Sequence, residues 1–141
     1  MALPNVGGGY QIGDGNVNEV EFYPQGAPVA LTVTATLTAA QLAVGLLTAN
    51  QAGAATATYT LPTGTLMDAA FGNCRVDTAF DFSLINISTV AAEDVTVAAG
   101  TGFTVVGNMV VASNAAATDQ STAHFRARKT GVATWVLYRI A

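Results

Sequence analysis

The chain has 141 residues, of which 51% are hydrophobic and only 10% are charged, and its formal net charge is -4. A chain of this length suits one domain with a sizeable core. Its five Lys and Arg residues form no continuous stripe, which argues against a nucleic-acid partner because phosphate binding needs clustered basic groups. The charged fraction is far below the usual ~25%, so we expect assembly with other subunits to cover part of the surface.

The first 27 residues are rich in glycine and show little periodicity, which is typical of an extended arm. Three apolar side chains near the end of this arm, Val20, Phe22 and Tyr23, are expected to dock on a neighbouring molecule. The residues after Met1 lack the basic and then apolar regions of a secretory signal. Residues 37–57 are apolar-rich, but Thr, Gln, Asn and Gly interrupt them, so they do not predict a membrane span.

The pattern becomes regular after the arm. Between Val29 and Ala35 every second residue is aliphatic and threonine fills most of the positions between, which predicts one half-buried strand. Thr38 and Gln41 match a capping box, so a single helical turn should follow and end near Gly45. Residues 46–49 are expected to form a short extended piece.

Two longer strands and a second helix follow. Residues 55–61 alternate between apolar side chains and threonine, which predicts a strand, and residues 66–71 predict a short helix that Gly72 closes. Residues 78–88 are the longest predicted strand. One face of that strand carries Phe80, Phe82 and Leu84, and the other carries Asp81, Ser83, Ile85 and Ile87.

Three short valine-rich segments, residues 95–98, 103–106 and 109–112, are predicted as further strands. The pair Gly107-Asn108 separates the second segment from the third. Because glycine at the first central position suits a type II′ turn, this pair predicts a two-residue hairpin between them.

The closing residues predict a second β-hairpin. Residues 121–128 lead into a turn at residues 129–131, and the chain returns over residues 133–140. The returning strand is apolar on both faces, with Trp135 and Leu137 on one side and Val136, Tyr138 and Ile140 on the other. One face should meet the core, and we expect a second copy of the chain to cover the other.

About eight strands with one or two short helices predict an all-β sandwich over residues 28–141, preceded by the arm of residues 1–27. Strand periodicity alone leaves open whether the connections form a jelly roll or another Greek key.

Three segments of the chain, residues 77–88, 94–106 and 125–140, resemble a known family. They are similar to the small trimeric jelly-roll proteins of tailed-bacteriophage virions that are called capsid decoration or cement proteins. The resemblance implies a non-enzymatic structural protein with the jelly-roll shape of tumour necrosis factor and C1q. It also implies a homotrimer on the outer capsid surface at local threefold positions, where it stabilises the shell.

The same resemblance implies the partners and the location. The partners would be further copies of the chain and the major capsid protein, with no nucleic acid and no membrane, and the protein would be made in the host cytoplasm and reside in the virion. Head fibres and tail-fibre tips share similar modules, so a module that binds a receptor or a glycan is the alternative. The expected trimer interface comprises Phe125, Trp135, Val136, Tyr138 and Ile140, and the expected capsid-contacting arm comprises Val20, Phe22 and Tyr23.

The candidate metal and redox sites are weak. Residues 14–18 imitate the opening of a calcium loop, but Glu19 occupies the position that needs glycine and Gln25 the position of the bidentate glutamate. His124 is the single histidine, whereas a sugar-active enzyme of the cupin kind needs a histidine-rich metal set. Cys74 is the single cysteine and predicts no internal disulfide. We therefore expect no metal and no cofactor.

Acid–base and nucleophilic sites are equally weak. Asp77 and Asp81 would lie about 13 Å apart on one strand, which is too far for an inverting glycosidase pair at ~6.5–9.5 Å, so both are predicted to be solvated. Asp119, Ser121 and His124 are close in sequence, but an alternating strand does not bring them together as a triad. The pair Glu93-Asp94 is predicted to form a turn. The sequence therefore predicts a protein that is not an enzyme.

Overall fold

A computed structural model of the chain describes residues 24–53 and 55–141. The predicted capsid-contacting residues Val20, Phe22 and Tyr23 lie outside the described residues, as does the calcium-like segment at residues 14–18. Residues 24–28 precede the first strand without regular secondary structure.

The described residues form ten strands and two short helices. Those that lie in the first half of the chain are β1 (Val29–Leu31), β2 (Ala35–Thr36), α1 (Ala39–Ala43), β3 (Leu46–Ala49), β4 (Ala57–Thr60) and α2 (Gly64–Ala70). The others are β5 (Ala79–Asn86), β6 (Val95–Ala98), β7 (Phe103–Val106), β8 (Val110–Val111), β9 (Thr122–Gly131) and β10 (Thr134–Arg139).

The strands form two sheets, and the chain crosses from one sheet to the other at every connection from β1 to β9. The six-stranded sheet has the order β1-β3-β5-β9-β10-β7, and the four-stranded sheet has the order β2-β4-β6-β8. Over the first six strands the chain returns to each sheet in the same direction, so β1, β3 and β5 are parallel in one sheet and β2, β4 and β6 are parallel in the other.

The predicted all-β sandwich is confirmed, but its connectivity differs from the expected jelly roll. A jelly roll is built from antiparallel Greek keys, whereas five of the eight strand pairings here are parallel. Antiparallel pairing joins β5 to β9, β9 to β10 and β6 to β8. The closing β9–β10 hairpin was therefore predicted correctly.

Local capping was also predicted correctly. The Thr38 hydroxyl accepts a hydrogen bond from the Gln41 amide at 3.2 Å, and the Thr38 amide donates to the Gln41 side chain at 2.8 Å. Thr63 caps α2 in the same way by accepting a hydrogen bond from the Leu66 amide. Because of this cap, α2 begins at Gly64, two residues earlier than the sequence predicted.

Two predictions about strand pairing were wrong. The single strand expected between Val29 and Ala35 is divided into β1 and β2, which belong to different sheets. The hairpin expected at Gly107-Asn108 does not form, because β7 pairs with β10 and β8 pairs with β6. Gly107 has a φ of 103° and supplies the left-handed backbone that this crossing between sheets requires.

The core lies between the inner faces of the two sheets. Its largest fully buried side chains are Trp135, Tyr59, Phe82 and Phe125, and the rings of Phe82 and Phe125 stack at 5.3 Å. The prediction that Phe125 and Trp135 form a trimer interface was wrong, because they are 0% and 1% exposed in a single chain. Both occupy inward-facing positions of the hairpin, where the other sheet already covers them.

Asp68 of helix α2 links this helix to the tip of the β9–β10 hairpin. Its carboxylate accepts hydrogen bonds from the Ala133 amide at 2.8 Å and the Trp135 indole at 2.9 Å, and it pairs with the Lys129 ammonium at 2.9 Å. The bond from the Ala133 amide is the main reason that the pKa of Asp68 is lowered, and Lys129 adds to it. The turn falls at Val132 and Ala133, later than the predicted residues 129–131.

A buried polar network joins the two sheets near the end of β5. Glu93, which was predicted to lie in a turn, is 0% exposed. Its carboxylate accepts hydrogen bonds from the Ser88 hydroxyl and from the Gly53 amide, the latter at 2.6 Å. The Asn86 side chain donates to the Glu93 carbonyl at 2.8 Å and to the Val111 carbonyl at 3.4 Å. These partners supply the hydrogen bonds that a buried carboxylate needs.

The close contact between α2 and the hairpin predicts the effect of one substitution. A Cβ at Gly64 would lie 2.0 Å from the Ala133 carbonyl oxygen, so Gly64→Ala must displace the hairpin tip. We expect a loss of about 1–3 kcal/mol in the free energy of unfolding, measured by urea denaturation. Gly72→Ala is the matched control, because a Cβ at that position meets nothing within 4 Å. Equal stability of the two variants would contradict the observed packing.

Candidate interaction surface on the six-stranded sheet

The outer face of the six-stranded sheet brings together most of the side chains that the sequence left without a role. The register aligns Asp81 of β5 with Arg126 of β9, Tyr138 of β10 and Val106 of β7 in one row. A neighbouring row aligns Ser83 with His124. Side chains from four strands therefore lie side by side on this face.

One half of this face is an apolar strip, which consists of Val106, Val136, Tyr138 and Ile140. Val106 is 47% exposed and Ile140 is 55% exposed, whereas Val136 and Tyr138 are half-buried. Three of the five residues that the sequence assigned to a trimer interface, Val136, Tyr138 and Ile140, lie in this strip. Their role in assembly stays a prediction.

A band of ion pairs runs beside the apolar strip. Arg126 donates two hydrogen bonds of 2.7 Å to the two carboxylate oxygens of Asp81, and Arg128 pairs with Asp77. The Asp81–Arg126 contact is bidentate, which is the strongest geometry for such a pair. Asp77 is solvated as predicted, since its side chain is 68% exposed. Asp81 is 32% exposed and is held by Arg126, a partner that the sequence did not reveal.

His124 is held between two polar side chains on the same face. Its Nδ1 lies 3.0 Å from the Ser83 hydroxyl, and its Nε2 lies 3.2 Å from an Asp81 carboxylate oxygen. Because Asp81 can only accept, Nε2–H of a neutral ring donates to it and Nδ1 accepts from Ser83. The hydrogen bonds therefore run from Ser to His to Asp, in the same donor-to-acceptor order as in a catalytic Ser–His–Asp triad.

The surroundings of this row favour a structural role over catalysis. Asp81 already accepts two hydrogen bonds from Arg126. The backbone amides of Ser83 and His124 donate to the carbonyls of Gly45 and Ala141, both at 2.9 Å, so neither amide is available to an oxyanion. The hydrogen bonds with Ser83 and Asp81 hold the imidazole ring of His124 in one orientation on the open face of the sheet.

The other half of the face contains a shallow groove. Its volume is about 340 Å³, and its lining includes Leu46 of β3, Ser83 and Ile85 of β5, and Thr122 and His124 of β9. Leu46 and Ile85 give the groove apolar walls, and Ser83 and His124 give it a polar side. The groove and the apolar strip are separate parts of one surface.

Sequence reasoning missed the groove and the Ser83–His124 contact. Alternation had placed Asp81, Ser83 and Ile85 on one face of a strand, which is the face observed. The missing information was the β5–β9 register, because Ser83 and His124 are 41 residues apart. The opposite charges of two segments, Asp77 and Asp81 against Arg126 and Arg128, carried a weak signal of that register.

Across residues 24–53 and 55–141, no three His, Cys, Asp or Glu side chains are grouped so that they could hold a metal ion. In the same part of the chain, neither helix has the length and apolar character needed to cross a bilayer.

Comparisons with known proteins give no relative: no protein-family model, curated protein or solved structure matches the chain.

The ion-pair band predicts a pH-dependent contribution to stability. The hydrogen bonds from Arg126 are the main reason that the pKa of Asp81 lies below its ordinary value of 3.8. A lowered pKa in the folded state means that the contribution of Asp81 is complete above this ordinary value and is lost as the pH falls through the folded value. Asp81→Asn should therefore cost at most about 1 kcal/mol at pH ~5, because the pair is partly exposed, and less at pH ~2.

The measurement is urea denaturation of the wild-type protein and the variant at both pH values. Asp77→Asn is the matched control, because Asp77 also pairs with an arginine but its side chain is 68% exposed, so its effect should be smaller. A cost of Asp81→Asn that stays constant across the acid range would contradict this account.

Proposed function

We propose that the protein is a non-enzymatic structural component of a bacteriophage virion. In this proposal it is a homotrimer that binds the outer surface of the capsid at local threefold positions and stabilises the shell. The observation that carries the proposal is the apolar strip on the six-stranded sheet, on a chain with only 10% charged residues. The resemblance of residues 77–88, 94–106 and 125–140 to decoration proteins supplies the biological setting.

The apolar strip has the composition of a subunit contact. Val106, Val136 and Ile140 are aliphatic, and Tyr138 adds an aromatic ring of the kind that contributes strongly at interfaces. Burial of such side chains contributes roughly 25 cal/mol for each Å² of apolar surface. A threefold arrangement would bury three copies of the strip and leave the core of each subunit unchanged.

The ion-pair band fits the edge of such a contact. Interfaces commonly have an apolar centre and a polar, solvent-accessible rim. Asp81, Arg126 and Arg128 lie beside Tyr138 and Val136 on the register, so they would border the buried strip. Charges at a rim contribute little affinity but fix the orientation in which two subunits meet.

Stabilisation of the shell follows from multivalency. A trimer that touches several capsid subunits makes each contact after the first an intramolecular one, so individually weak contacts give a high overall affinity. A trimer that binds the assembled shell and not free subunits stabilises the shell by mass action. The proposal requires the two-sheet sandwich and a trimer, and it does not require jelly-roll connectivity.

A fibre-tip module that binds a receptor or a glycan is the alternative, and copy number separates the two functions. Hundreds of copies on each virion would favour decoration, and a few copies would favour a fibre. Quantitative mass spectrometry of purified particles measures this number directly.

We predict that the purified protein is a trimer in native mass spectrometry and light scattering. Ile140→Asp should shift the trimer towards monomers, with a loss of at least tenfold in association, because it places a charge in the buried strip. Val33→Asp is the matched control, since Val33 is 65% exposed in the loop between β1 and β2, away from the strip. A monodisperse wild-type monomer would refute the trimer.

Removal of residues 1–23 should leave the trimer intact and weaken its attachment to capsids. The described residues contain an extensive buried hydrophobic core between the two sheets, so we expect the sandwich to fold without this segment. The measurement is sedimentation of the truncated protein with undecorated shells, and the full chain serves as the control. Unchanged binding of the truncated protein would show that the arm has no docking role on the capsid.

A further inference from the structure

We propose that β7 lies along the threefold axis of the trimer, where its open edge packs against the apolar strip of the next subunit. This inference rests on the proposed function, because it names the second surface of the trimer contact. The occupant of the edge is therefore another copy of this chain. β7 is the last strand of the six-stranded sheet, and its residue Val106 belongs to the apolar strip and is 47% exposed.

The apolar strip is too small to hold two subunits together alone. A stable contact buries roughly 800 Å² on each partner. The strip consists of four side chains, and two of them, Val136 and Tyr138, are already half-buried in the single chain. The trimer contact must therefore include a further surface next to the strip.

Threefold symmetry also requires a second surface. In a closed trimer each contact joins two different patches, because a patch packs on a copy of itself only across a twofold axis. The two patches of one subunit meet at the threefold axis, and they are inclined to each other because each subunit fills one third of the circle around it. The second patch therefore borders the strip and slopes away from the face that carries the strip.

Two surfaces border the strip, and the side of the sandwich has the required slope. The ion-pair band lies on the same sheet face as the strip, so packing of strip on band would occur twice across a twofold axis and would give a dimer. The side of the sandwich turns away from this face along β7, which is the edge of the sheet beside β10. The two patches therefore meet along β7, and this line is the threefold axis.

The edge of β7 has an open backbone and an apolar composition. The Trp135 amide donates to the Gly102 carbonyl, so the backbone groups of alternate residues face β10 and those of Val105 point the other way. Among the described residues, no strand pairs with that side of β7. Its sequence, Phe-Thr-Val-Val, contains none of the charged residues or prolines that commonly protect an exposed edge from other chains.

The edge strand β8 of the other sheet is protected, in contrast to β7. The Arg139 guanidinium donates to the Val110 carbonyl and, at 3.1 Å, to the Asn108 carbonyl. A charged side chain therefore covers part of the β8 edge, which is a common way to prevent pairing with other chains. Within residues 24–53 and 55–141, no side chain covers the Val105 carbonyl in this way. The difference indicates that β7 is the edge that meets another subunit.

The apolar strip can satisfy both the side chains and the backbone of this edge. Thr104 and Val106 are exposed on β7, and Val105 is half-buried against the core, so a neighbour would remove further apolar surface from water. The hydroxyl of the partner subunit's Tyr138 can donate a hydrogen bond to a carbonyl and accept one from an amide. It can therefore pair with the open backbone groups of Val105, which the contact would otherwise bury without partners.

A cysteine experiment tests the position of β7. A threefold axis brings three copies of one residue together, so a disulfide joins two of them and leaves the third thiol free. In a Cys74→Ser background, Thr104→Cys and, in a separate protein, Val106→Cys should form covalent dimers on oxidation by air with a copper catalyst, with one free thiol left in each trimer. Thr36→Cys is the matched control, because Thr36 is an exposed threonine on an edge strand of the other sheet, and it should oxidise at least tenfold more slowly.

The outcomes separate this inference from the proposed function. Thiols that stay free at both positions, in a protein that native mass spectrometry shows to be a trimer, would overturn the inference and leave the trimer standing. Complete oxidation without a free thiol, in a protein that is a dimer, would refute the threefold axis and the trimer together. A monodisperse wild-type monomer would likewise refute both.

Hydrogen exchange supplies a second measurement that needs no cysteine. The Val105 amide should exchange at least tenfold more slowly in the wild-type trimer than in monomers produced by Ile140→Asp. The amides of β1 (Val29–Leu31), at the opposite edge of the same sheet, are the control and should exchange equally in both proteins. Exchange of the Val105 amide at the unprotected rate in the wild-type trimer would overturn the inference even if a variant failed to fold.

Discussion

The antiparallel pairing of β5 with β9 is the interaction on which the rest of the molecule depends. It joins the parallel strands β1, β3 and β5 to the closing hairpin, and without it the six-stranded sheet would consist of two separate parts. The inward side chains of this pair, Phe82 and Phe125 among them, form the centre of the core. The outward side chains of the same pair form the ion-pair band and the polar side of the groove. One register therefore determines both the stability and the chemical character of the surface.

The outer face of the six-stranded sheet combines a hydrogen-bonded polar row, an apolar strip and a groove. A hydrogen-bonded Ser83–His124–Asp81 row would indicate catalysis in a deep pocket. Here it lies on an open sheet, its carboxylate is engaged by Arg126, and the nearest amides are used by the backbone. The apolar strip and the groove, which flank this row, are better explained by contact with other polypeptide segments. In the proposed function this surface serves assembly, and its fixed polar centre would limit how partners can be oriented.

Sequence reasoning succeeded where the determining contacts are local and failed where they are distant. The Thr38 capping box and the β9–β10 hairpin depend on neighbours in the chain, and both were predicted. Gly107-Asn108 has the composition of a hairpin turn, but the strands on either side find their partners in different sheets, which no local pattern reveals. The burial of Glu93 was not predicted, because its partners, the Ser88 hydroxyl and the Gly53 amide, are supplied only by the folded chain. Trp135 and Phe125 were assigned to an interface because they are large aromatic residues. The alternation of side chains along each strand, which places both of them on the inward face, was given less weight.

The alternation of the chain between two sheets has a consequence for how the molecule opens. Consecutive strands from β1 to β9 belong to opposite layers, so neither layer is a continuous stretch of polypeptide. If two consecutive strands separate from the rest of the fold, each layer loses one strand and the core between the layers is exposed. We therefore expect the two layers to open together and not one at a time. In the proposed role, a particle under internal pressure would gain from a surface component that resists partial opening in this way.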